Sequence, residues 1–254
     1  MIKALIFDLD DTLFDSSKLA EDARREAIKA INELESSINI DEDECYEVLL
    51  DVITEFGSNY SYHFDQLIKR INGISKIYSY GIEDFIAGKE MIPPPKMLVQ
   101  AAVIAYHNVK FTDIKPFDDV IPFLRQARNK YKDIKISVLT DGLPEKQYEK
   151  ILRLKIHPYL DDITISDEVG VRKPNTKLYS LGLGRLGELK PEESIYIGDH
   201  YSTDIVPSKN IGINSVLIHR GGKYDRKVTG KIKPDFEIDN LFELFNIIDK
   251  LNDI

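Results

Sequence analysis

The chain has 254 residues, is 43% hydrophobic and carries a formal net charge of −9. The apolar content suffices for one large domain or two smaller ones, and the acidic balance argues against non-specific binding to nucleic acid or an anionic membrane. A single cysteine, Cys45, excludes an intrachain disulfide and a thiolate zinc cluster, and fits a reducing cytoplasm.

The first predicted element is a strand at Ile2–Phe7, apolar except for Lys3, as expected of a parallel strand buried under helices. The run is too short for a signal-peptide core, and no small-residue cleavage site follows it. The next stretch, 16–112, contains no convincing strand. Helical periodicity predicts helices at Ser17–Leu34, Asp43–Phe56, Tyr62–Ile71 and Met97–Val109, with Pro93-Pro94-Pro95 as a stop before the last. The apolar stretch Leu98–Val109 is too short and too polar to span a bilayer. Strands and helices then alternate. A helix at Pro116–Lys130, apolar at Val120, Ile121, Phe123, Leu124 and Ala127, leads to a strand at Ile134–Leu139. A helix at Pro144–Leu154, with proline in its first turn, precedes a strand at Ile163–Ile165. The helix Asn175–Leu186, the strand Ser194–Ile197, the helix Thr203–Asn210 and the strand Ser215–Ile218 complete the series. Such alternation predicts an α/β fold with a doubly wound parallel sheet. The organisation expected is a Rossmann-like core of residues 1–15 and 113–254 and an inserted all-helical domain of residues 16–112. The insert would cover the carboxyl ends of the strands, where open α/β sheets bind ligands.

Four short segments fall at that edge. Asp8-Leu9-Asp10-Asp11-Thr12 follows the first strand, and Thr140-Asp141-Gly142 follows the second. Arg172-Lys173-Pro174 opens a helix, and Gly198-Asp199 follows a further strand, with Asp204 five residues on. Carboxylates crowded at the end of a buried strand repel one another and resist desolvation, so this cluster points to a cation and a reaction. Each segment alone is weak. Four in order, each at one edge of one sheet, make a strong signal.

With these four motifs the chain resembles the haloacid dehalogenase-like hydrolases over its whole length, and the helical insert resembles that family's cap of the subfamily I type. Segments such as Ala105–Val109 and Ile197–Asp199 are similar to an archaeal branch of it. The resemblance implies a Mg2+-dependent phosphatase acting on a small phosphorylated metabolite. Asp8 is then the nucleophile that forms an aspartyl-phosphate, and Asp10 the acid and base that protonates the leaving alkoxide and activates water. Mg2+ is implied between Asp8, Asp199 and the phosphate, with the backbone carbonyl of Asp10 a further ligand and Asp204 closing the shell directly or through water. Thr140 and the backbone N–H of Asp141 would hold phosphoryl oxygens, and Lys173 would add positive charge on the transferring group.

Other readings stand beside these. Thr12 suits a turn-fixing hydrogen bond, and Asp204 also suits a helix cap. Tyr60, Tyr62, His63, Gln66 and Arg70, like Tyr106 and His107, more often mean packing or a solvated face than substrate reading. A phosphomutase would use the same four motifs, and a phospho-acceptor or binding module would use Asp8 without turnover. Asp10 argues against such a module and against carbon–halogen chemistry. Phosphonate hydrolysis would need a Schiff-base lysine, for which Lys18, Lys69 and Lys76 have no supporting motif. A homodimer is the default expectation for self-association.

Overall fold

The computed structural model describes residues 1–34, 41–71, 95–222 and 230–253. Within these, six strands form one sheet: β1 (Ala4–Phe7), β2 (Lys135–Thr140), β3 (Asp162–Ile165), β4 (Ser194–Gly198), β5 (Asn214–Ile218) and β6 (Phe236–Ile238). Every pairing is parallel, in the order β3-β2-β1-β4-β5-β6. All four residues of β1 are buried, and its alternating side chains serve two different faces. Ala4 and Ile6 join Leu139, Leu178, Tyr179, Leu183 and Tyr196 on one face. On the other, Phe7 meets Phe123 edge-on at 6.2 Å, and Phe123 meets Phe245 at 5.0 Å. A strand covered on both sides has no room for polar side chains, so the first carboxylate, Asp8, comes as the strand ends.

Register then brings the motifs together. Phe7 pairs with Val138 of β2 and with Ile197 of β4. Asp8, Thr140 and Asp199 therefore leave the sheet at the carboxyl ends of three adjacent strands. The strand order reverses direction at β1 and β4, the place where open α/β sheets form a crevice.

The chain divides into two units, Met1–Lys18 with Ile114–Ile254, and Leu19–Asp113. The second unit draws on helices Ser16–Leu34, Glu42–Phe56, His63–Arg70 and Pro95–Thr112. Its core includes Ala27, Ile31, Cys45, Leu49, Leu67, Leu98 and Ala102, at the apolar spacings seen in the sequence. Asp41 caps the helix Glu42–Phe56, accepting from the N–H groups of Asp43 and Glu44 at 3.0 Å each. Such a cap contributes about 1 kcal/mol. Pro93, Pro94 and Lys76 lie outside the described residues. No described helix is long and apolar enough to cross a membrane.

Several elements differ from the sequence expectation, which does not include the short helix Ser166–Val169 or the helix Leu244–Leu251. The helix expected from Pro116 starts at Val120, and in the segment before it the Phe117 N–H donates to the carbonyl of Leu13 at 3.0 Å. The expected helix Thr203–Asn210 is instead a π-helical turn at Tyr201–Ile205 followed by a short α-helix at Val206–Asn210, with Pro207 in its first turn. The three-residue β6 was too short to carry a readable period.

Candidate active site

Carboxylate oxygens of Asp8, Asp199 and Asp204 all lie within 4.8 Å of one another. Asp8 and Asp204 are buried, and Asp199 is partly so. Asp8 is placed by the end of β1, where its N–H donates to the carbonyl of Ile197 at 2.8 Å. Asp199 follows β4 and accepts from the Thr12 hydroxyl at 3.5 Å. Asp204 sits on the π-helical turn, which carries it back over the end of β4. There its oxygens accept from the His200 N–H at 3.0 Å, the Tyr196 hydroxyl at 3.1 Å and Lys173 Nζ at 2.8 Å. A Cβ at Gly198 would lie 2.5 Å from Asp204 Cγ, so glycine is needed for this close approach.

Lys173 bridges two of the three acids, reaching Asp8 at 2.5 Å and Asp204 at 2.8 Å. Its own N–H donates to the Asp141 carboxylate at 3.1 Å, which ties the second motif to the third. Burial disfavours the Lys173 ammonium, but Asp204 and Asp8 outweigh it and hold its pKa well above the usual value. The acids respond to the same balance. Burial pushes Asp8 up to about 7 against the pull of Lys173. Burial, with Asp204 and Asp8 adding repulsion, pushes Asp199 up to about 8. Three carboxylates facing one ammonium leave an excess of negative charge in a dry place, which a hard divalent cation would relieve. The all-oxygen donor set, without nitrogen or sulfur, suits Mg2+.

The Asp10 carboxylate stands outside this group. Lys150 Nζ, on the helix Pro144–Arg153, lies 2.7 Å from both of its oxygens. Gln147 Nε2 on the same helix reaches Asp10 Oδ2 at 3.4 Å, Thr140 Oγ1 at 3.2 Å and the carbonyl of Asp141. Sequence reading missed both residues, although a signal existed. Gln147 occupies an apolar stripe with Ile151 and Leu154, at helical spacing, and a buried amide there calls for partners.

The polar-aromatic set of the helical unit makes contacts with other residues of that unit. Tyr60 stacks on Phe56 at 4.6 Å and accepts from Gln66 at 3.3 Å. Arg70 pairs with Glu55 at 2.7 Å, and Tyr106 packs edge-on against Phe64 at 5.8 Å.

A family model described as haloacid dehalogenase-like hydrolase matches residues 2–212. The chain is 43% identical over 252 residues to a glyceraldehyde 3-phosphate phosphatase of Methanopyrus kandleri, covering 99% of each chain. It is 39% identical to a protein of the same name from Methanocaldococcus jannaschii, again over 99% of each. Among solved structures, a HAD phosphatase from Thermococcus onnurineus is similar in fold, with a TM-score of 0.61 at 23% identity, over 97% of this chain and 98% of that one.

Proposed function

The chain belongs to the haloacid dehalogenase-like hydrolases, and on that premise we propose that it is a Mg2+-dependent phosphatase whose substrate is glyceraldehyde 3-phosphate or a close three-carbon relative. The substrate follows the names of the archaeal relatives, which match over the full length. The observation that carries the chemistry is the group of Asp8, Asp199 and Asp204, in which Lys173 bridges the two buried members, Asp8 and Asp204.

Asp8 and Asp199 would hold the metal, with Asp204 beside them and the Asp10 carbonyl as a further ligand. Bound Mg2+ supplies charge that lets a carboxylate approach a doubly anionic phosphate. Asp8 is the nucleophile. Its oxygen forms a bond to phosphorus as the bond from phosphorus to the sugar oxygen breaks, and the departing oxygen takes a proton from Asp10. Asp10 then takes a proton from water, whose oxygen bonds to phosphorus as the bond to Asp8 breaks, which regenerates both acids and releases inorganic phosphate. Lys173 places its ammonium beside the attacking oxygen of Asp8, where the transferring group would carry charge. Thr140 and the Asp141 N–H would receive phosphoryl oxygens. Residues 16–112 would serve as the cap that shields the reaction from water.

The test is phosphate release from a panel of phosphorylated metabolites with Mg2+. The highest kcat/KM should fall on a three-carbon ester. Absence of release from every ester, with the protein folded, would overturn the reading.

A further inference from the structure

We propose that Lys150, supported by Gln147, is a positioning residue that sets the direction of the Asp10 carboxylate; the inference deepens the phosphatase reading and rests on it. Asp10 lies on the turn after β1, next to Asp11, whose φ is 59°. A carboxylate on a turn can rotate, whereas proton transfer requires its oxygen within hydrogen-bond reach of the reacting oxygen. The structure supplies an external hold on it. Lys150 Nζ bridges both Asp10 oxygens at 2.7 Å.

The environment distinguishes this from an ordinary surface pair, which holds its partners loosely. The Lys150 and Asp10 side chains are 21% and 32% exposed. The ammonium also lies 5.8 Å from the centre of the Phe14 ring, so its position is constrained on a second side. Gln147, three residues earlier and on the same helix face, is only 3% exposed and points the same amide nitrogen at Asp10, Thr140 and Asp141. Gly142 makes room for that amide: a Cβ there would lie 2.7 Å from Gln147 Nε2. One helix thus fixes the acid of the first motif relative to the hydroxyl of the second. Neither Lys150 nor Gln147 contacts the attacking oxygen of Asp8, and Lys150 acts through Asp10.

The test compares an alkyl phosphate, glyceraldehyde 3-phosphate, with 4-nitrophenyl phosphate, whose leaving group needs little protonation. Lys150→Met should lower kcat/KM about tenfold or more on the alkyl ester and by less than about threefold on the aryl ester, since a small misplacement of a catalytic group is costly only where that group is needed. Lys150→Arg should restore part of the alkyl loss. If Lys150→Met fails to fold, Lys150→Gln is read in the same way. An alkyl value that is unchanged, raised, or lowered in step with the aryl value overturns the proposal while leaving the phosphatase reading intact. A wild-type protein inactive on both esters overturns that reading and this one together.

Discussion

Lys173 meets two carboxylates at 2.5 and 2.8 Å, while a third, on Asp199, completes the group. Removing this one ammonium would leave the transferring phosphate facing uncompensated acids. Lys173→Ala should therefore lower kcat as well as kcat/KM, by about 10²-fold, because the contact strengthens as charge shifts in the transition state. Lys173→Arg should recover only part, its planar guanidinium being larger than the ammonium it replaces. Steady-state kinetics checks both, and a change in KM alone would mean a contact made equally with bound substrate. The raised acids give a second expectation. With Asp8 near 7 and Asp199 near 8, mainly through burial, the metal-free folded protein holds protons that the unfolded chain releases near 3.8. Those groups favour the folded state most at low pH, and that contribution is lost as pH rises toward 8. Mg2+ binding must displace the same protons, so its affinity rises over the same range. Thermal melting should show a larger Mg2+-induced increase in Tm at pH 8 than at pH 6; an equal increase at both would contradict the ligand assignment.

The turn after β4 shows how an element places a side chain. The sequence predicts a helix from Thr203, but the π-helical turn Tyr201–Ile205 inserts extra backbone before Pro207 and returns Asp204 to the strand end. There the carboxylate has three donors and little freedom to move. Gly198→Ala would push a methyl group to 2.5 Å from Asp204 Cγ. The expected cost is about 1–3 kcal/mol, with a loss of activity, because the atoms that must give way belong to a held side chain. Denaturant unfolding measures the first and phosphate release the second; wild-type stability would mean that the π-helical turn shifts freely.

For the molecule as a whole, the proposed cap role of the helical insert predicts a substrate limit. A lid that excludes water encloses a small chamber. The enzyme should hydrolyse three-carbon and aryl phosphates but not a folded phosphoprotein, and excess chelator should abolish turnover of both small esters. Efficient dephosphorylation of the phosphoprotein would remove the lid role, and full activity in chelator would remove the metal.

Composition and strand–helix alternation sufficed for the fold class, and the position of the motifs after apolar runs sufficed to gather them at one sheet edge, because both are written in local patterns. Apolar runs such as Leu5–Phe7 bury themselves whatever follows, and Asp8, Thr140 and Asp199 stand directly after such runs. Residues whose role depends on distant partners were less legible. Lys150 reads as an ordinary helix-surface lysine until the helix Pro144–Arg153 brings it to Asp10, 140 residues away in the chain. Asp204 reads equally as a cap or a ligand until the π-helical turn points it at Lys173 and Tyr196. A side chain's neighbours along the chain follow from spacing, whereas its neighbours across the fold follow from sheet register and helix placement, which only the tertiary structure decides.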